Sequence, residues 1–173
     1  MKILWVSHLI PYPPKGGVLQ RSFNLIRELS RYHEVDLLSF NQSKLLCSFY
    51  PSVDKGLSEA NEVLRDVVNK HAFFEIPHER GKFCKHMLAL KSLFFNPYNI
   101  NWLKSDIFSL ELVRWLTSAA YDIVHFDTIS LVPYFNFLKS NTVTSLGHHN
   151  IESHMLLRRA KNETNFIKKF YYW

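Results

Sequence analysis

Apolar and polar positions along the chain switch between two periods. Residues 3–6 form a short apolar run that ends at Pro11-Tyr12-Pro13-Pro14-Lys15-Gly16-Gly17, which predicts a buried strand and its exit loop. Over 19–32 the apolar positions Leu19, Phe23, Leu25, Ile26, Leu29 and Tyr32 recur at helical spacing, with Arg21, Arg27 and Arg31 on the opposite face. Residues 34–40 read as a second strand. Two strands joined through a helix of this length predict a parallel, right-handed βαβ unit.

The same alternation continues. Leu57, Val63, Leu64, Val67 and Val68 predict a helix within 41–70, leading to a strand at 72–76 that Pro77 ends. Residues 80–95 interleave Phe83, Met87, Leu88, Leu90, Phe94 and Phe95 with Lys82, Lys85, His86 and Lys91, a basic amphipathic helix. A further helix is predicted over 106–119 with Asp106 as its cap, then a strand at 122–127, a helix at 130–139 and a strand at 142–146. Asn150 is placed to cap a last helix. The expectation is an α/β fold, a Rossmann-like, mostly parallel five-stranded sheet flanked by helices.

A length of 173 residues suits one domain over 1–173, and 14 Phe, 8 Tyr and 4 Trp supply a core. With only 2 Cys, Cys47 and Cys84, a disulfide scaffold is excluded, and both read as structural thiols. The formal charge of +6 favours anionic partners without selecting among them. No apolar run reaches the roughly 18–20 residues of a membrane span, and the start lacks a secretory leader's pattern. The expected setting is cytoplasmic. The 80–95 helix offers peripheral contact with the inner membrane face, or is an ordinary surface helix.

Candidate chemistry gathers where strands end. Gly16 and Gly17, between the first strand and first helix, suit either close approach of an anion to a helix N-terminus or a turn that needs positive φ. Neither a dinucleotide G-x-G-x-x-G nor a Walker loop is present, which disfavours an NAD oxidoreductase or a P-loop NTPase. Asp127 stands at the carboxyl end of a strand, where open α/β sheets place ligand-contacting groups, and suits a sugar hydroxyl, a helix cap or a loop anion. His125 reads as a packed histidine. His149 and Asn150 follow another strand end and suit hydrogen bonding to a ligand better than a metal site, because adjacent histidines on an extended segment point apart. No recognised nucleic-acid module occurs.

The order of these strings resembles the N-terminal domain of family 4 glycosyltransferases, enzymes of the two-domain GT-B fold. The resemblance rests on Lys2-Ile3-Leu4-Trp5-Val6-Ser7, Pro13-Pro14-Lys15-Gly16-Gly17, Arg21-Ser22-Phe23-Asn24-Leu25, and 33–40. It continues through Pro97-Tyr98, 121–127, His149-Asn150-Ile151-Glu152-Ser153 and Arg158-Arg159-Ala160, so it spans nearly the whole chain.

It implies a retaining transfer of sugar from a nucleotide-sugar donor to a glycan or lipid-linked acceptor, without metal or cofactor, as in polysaccharide assembly. By position, Gly16 and Gly17 would approach the donor phosphates and Asp127 the acceptor hydroxyl. Arg21, His149 and Asn150 would line the cleft. The resemblance also implies that donor-binding residues lie in a second domain outside these 173 residues, and that the chain alone is inactive. A non-catalytic binding module and a membrane-surface protein are the alternative readings.

Overall fold

A computed structural model describes residues 1–79, 87–88, 92, 98–148, 152–165 and 169. Five parallel strands form one sheet in the order β3-β2-β1-β4-β5: β1 (Lys2–Ser7), β2 (Glu34–Asn41), β3 (Lys70–Glu75), β4 (Ile123–Phe126) and β5 (Val143–Leu146). The Rossmann-like α/β expectation is met. Helices α1 (Gly17–Leu29), α2 (Ser43–Phe49), α3 (Val53–Arg65), α4 (Tyr98–Trp102), α5 (Asp106–Ser118) and α6 (Glu152–Asn162) connect and flank the strands.

Strand alternation divides the core into two layers. Leu4, Val6, Leu38, Phe40, Val124 and Phe126 face α5, where they pack on Phe108, Leu112 and Trp115. Phe40 and Phe108 stack with ring centroids 4.0 Å apart. Truncating the fully buried Phe108 to Ala would cost about 3–5 kcal/mol. On the opposite face Ile3, Trp5, Val35 and Leu37 pack against Phe23 and Ile26 of α1 and Ala60 and Leu64 of α3. The central strands are covered on both faces, as a parallel sheet requires. All four residues of β5 remain exposed.

Several boundaries differ from expectation for local reasons. The apolar stretch at 41–70 forms two helices, interrupted at 50–52, which include Pro51; the Ser52 hydroxyl caps α3 by accepting from the Lys55 N–H at 3.2 Å. At α5 the cap is Ser105, whose hydroxyl accepts from the Phe108 N–H, so Asp106 occupies the first turn and complements the helix dipole instead. The segment Ile129–Phe137 is a 3-10 helix with Pro133 inside it, which removes a donor from any α-helical ladder.

The basic helix expected over 80–95 lies largely outside the described residues. Within it Met87 and Leu88 are helical, with Met87 exposed and Leu88 buried. No helix among the described residues is long and apolar enough to cross a membrane. Cys47, expected as structural, is a free, exposed thiol on α2, and Cys84 lies outside the described residues.

Candidate functional site

The chain runs from β1 outward to β2 and β3, then returns across β1 to β4, so the direction of winding reverses between β1 and β4. The carboxyl ends of two strands that part in this way leave a crevice, the place where open α/β sheets hold ligands. Ser7 ends β1, and Asp127 directly follows β4, its N–H donating to the Val6 carbonyl at 2.9 Å.

Alternation puts Ser7, Ser39 and Asp127 on the α1 side of the sheet, level with one another through the Ser7–Ser39 and Val6–Phe126 registers. α1 closes over them. The Ser22 hydroxyl donates to Asp127 Oδ2 at 2.9 Å, and the Ser7 hydroxyl lies 3.1 Å from the same oxygen, its one proton shared with the Leu9 carbonyl at 2.7 Å. Asp127 is thus a buried carboxyl group, 3% exposed, that accepts from a serine hydroxyl of α1. Asp127 stands at the carboxyl end of the strand, where the sequence places it, and Ser22 holds it under the helix.

The glycine pair begins α1. Gly16 is the helix N-cap with φ 80° and ψ 162°, a region essentially confined to glycine, and a Cβ there would meet no atom within 4 Å. Its identity is therefore required by the backbone, the turn reading. Gly17 has no such requirement, and a Cβ on it would also enter open space. No side chain caps this end and no acidic residue stands in its first turn, leaving the positive end of the helix dipole uncompensated locally.

Arg21 is exposed and donates from Nη1 to the His148 carbonyl at 2.8 Å. It thereby joins α1 to the segment leaving β5, immediately before His149. His149 and Asn150 themselves, and the expected cap at Asn150, lie outside the described residues. His125 is a packed histidine as read: its ring lies 3.9 Å from that of Trp5, and Nδ1 is 3.1 Å from the Ser145 hydroxyl. Among the described residues no group of three or more His, Cys, Asp or Glu is arranged to hold a metal ion.

Sequence reasoning missed the serines and Asn41. Ser7 and Ser39 are visible in hindsight as polar residues closing apolar strand runs, and both are fully buried. Asn41 ends β2 on the same face, two residues beyond Ser39, and is 1% exposed. Nothing local marks Ser22, because its role depends on a residue 105 positions away.

A second polar cluster occupies the opposite, amino end of the sheet. Asp36, fully buried, accepts from Tyr121 Oη at 2.6 Å and Asn69 Nδ2 at 2.8 Å, with Lys70 Nζ 3.6 Å away. Lys70 also lies over the Trp115 ring. Burial, reinforced by the Asp36 contact, pushes the Tyr121 hydroxyl well above its usual range. This cluster ties β2, β3, β4 and α5 together and stands apart from the crevice.

No protein-family model matches the chain, and no curated protein matches it.

Proposed function

We propose that this chain is the acceptor-side domain of a retaining glycosyltransferase with two-domain GT-B organisation, acting in glycan or glycolipid assembly. The observation that supports this reading best is the convergence of Asp127, the glycine turn and the uncapped N-terminus of α1 at the crevice between β1 and β4.

In this reading the anomeric carbon–oxygen bond of a nucleotide sugar breaks with its electron pair passing to the diphosphate. The acceptor oxygen bonds to the same face of that carbon, and its proton passes to the departing phosphate oxygen. Backbone N–H groups at Gly17 and the following positions of α1 favour the developing phosphate charge, with Arg21 at the rim. Asp127 orients the acceptor hydroxyl, and His149 and Asn150 line the cleft. The donor's sugar and nucleoside are held by the second domain of the GT-B organisation.

The burial of Asp127 supports a second reading, a module that binds a hydroxylated or phosphorylated ligand without transfer. Calorimetric titration with UDP- and GDP-sugars separates the two, comparing this chain with a form extended by any coding sequence that follows it. Binding and transfer confined to the extended form support the enzyme. Binding by both forms without transfer supports the module.

A further inference from the structure

The carboxamide of Asn41 is a costly polar group at the carboxyl edge. Both Oδ1 and Nδ2 are buried, and neither has a hydrogen-bond partner among the described residues. A buried amide normally finds partners, because leaving a donor or acceptor unmet in a dry interior opposes folding. A leucine has the same heavy-atom branching, in a somewhat larger volume, without that cost.

Its place in the fold is specific. Strand alternation puts Asn41 on the α1 side, about 6.6 Å beyond Ser39 along β2. The next residue, Gln42, donates from Nε2 to the His8 carbonyl at 3.3 Å. Gln42 also borders a void of about 10 Å³ lined with Leu9, Ile10, Tyr12 and Leu19, the last in the first turn of α1. The loop at 8–16 therefore lies against the end of β2, and Asn41 shares with Asp127 the carboxyl edge and the α1 face of the sheet, one strand beyond the β1–β4 crevice. Two inter-strand gaps across the sheet and the offset along β2 separate the two positions by about 12 Å, a span that suits two linked rings.

We infer that Asn41 is a further ligand-contacting residue of this edge, reached when the 8–16 loop lifts, and that it takes a vicinal diol of a saccharide. A carboxamide offers one donor face and one acceptor atom side by side, and two adjacent hydroxyls satisfy both at once. The inference rests on the glycosyltransferase reading for its ligand class and on the unpartnered amide for its location. It extends that reading from one acceptor hydroxyl at Asp127 to a second contact on the β2 side.

The test has a ligand-free arm and a ligand arm, both on the full chain. Asn41→Leu is expected to raise the melting temperature by about 2–4 °C, since it removes an unmet amide at constant shape. A lowered melting temperature would overturn the inference, because it would mean that the amide is satisfied in the folded protein, by water for example. Asn41→Cys is expected to react with a small methanethiosulfonate at least tenfold faster than a Leu38→Cys control in the sealed core. Equal rates would show that the loop does not open and would overturn it too.

In the ligand arm, a mixture of glucose, galactose, mannose and fucose at tens of millimolar is expected to slow modification of Asn41→Cys at least twofold while leaving Cys47 unaffected. Reaction without such protection would overturn the diol assignment while leaving loop opening and the transferase reading standing. Protection without any transferase activity in the extended protein would instead support the diol site and overturn the enzyme.

Discussion

The hydroxyl of Ser22, on the second turn of α1, donates to Oδ2 of Asp127 across 2.9 Å and fixes the helix over the carboxyl end of β4. The Ser7 hydroxyl of β1 lies 3.1 Å from the same oxygen, its proton shared with the Leu9 carbonyl, so one carboxylate oxygen brings the two strands that part at the crevice together with the helix that roofs it. Hydrogen bonds to a charged group contribute about 1.5–3 kcal/mol each. Ser22→Ala is expected to lower unfolding free energy by about 2 kcal/mol in urea titration, and Ser7→Ala combined with it to deviate from additivity because both act on one oxygen.

The two glycines should respond oppositely to alanine. Gly16→Ala forces a Cβ onto φ 80°, ψ 162° and is expected to cost about 1–3 kcal/mol, although no neighbour obstructs it. Gly17→Ala enters open space at the first helical position and is expected to stabilise by about 0.4–1 kcal/mol through the unfolded chain. If Gly17 serves a diphosphate, the same variant weakens nucleotide-sugar binding in the extended protein while its melting temperature rises. A parallel gain in both would remove the phosphate role.

Asp36→Ala should be among the most destabilising single changes. It leaves Tyr121, Asn69 and Lys70 without their shared carboxylate at the amino end of the sheet, at an expected cost of about 3 kcal/mol. Because the cluster lies at the opposite edge from Asp127, ligand binding at the crevice should survive at temperatures where the variant remains folded.

Acid should weaken the fold through His71. Its ring is half-buried with Nε2 2.9 Å from the Asn61 side-chain oxygen, and burial, aided by the Arg65 charge, lowers its affinity for a proton. Between the unfolded value near 6.5 and the lower folded one, the unfolded chain binds more protons, so stability falls as pH drops below about 6.5 and is unaffected above it. Melting curves from pH 7.5 to 5.5 should show this loss, and His71→Gln should reduce it. An unchanged pH slope in the variant would contradict the assignment.

Strand and helix order was legible because both periods are written in local sequence. The run ending at Val6 and the helical spacing of Phe23 and Ile26 each announce the face they bury. Boundaries depended on finer chemistry: Ser105 caps where Asp106 was expected, and Pro133 turns an apolar stretch into a 3-10 helix. At the crevice, Asp127 and the glycine turn could be placed from strand ends alone. The burial of Asp127 could not, because it is set by Ser7 and Ser22 from distant parts of the chain. Asn41 gave no signal, since an asparagine ending a strand ordinarily faces water.

The measurement that tests the proposed function most directly is sugar transfer by the chain joined to any coding sequence that follows it, with UDP-, GDP- and ADP-sugars as donors. Anomeric configuration would be read by NMR, with Asp127→Asn as the comparison. The expected result is a product that retains the donor's configuration, with transfer at least a hundredfold slower in Asp127→Asn, assayed at a temperature where the variant remains folded. No transfer from any donor, an inverted product, or an undiminished rate in the variant would contradict it.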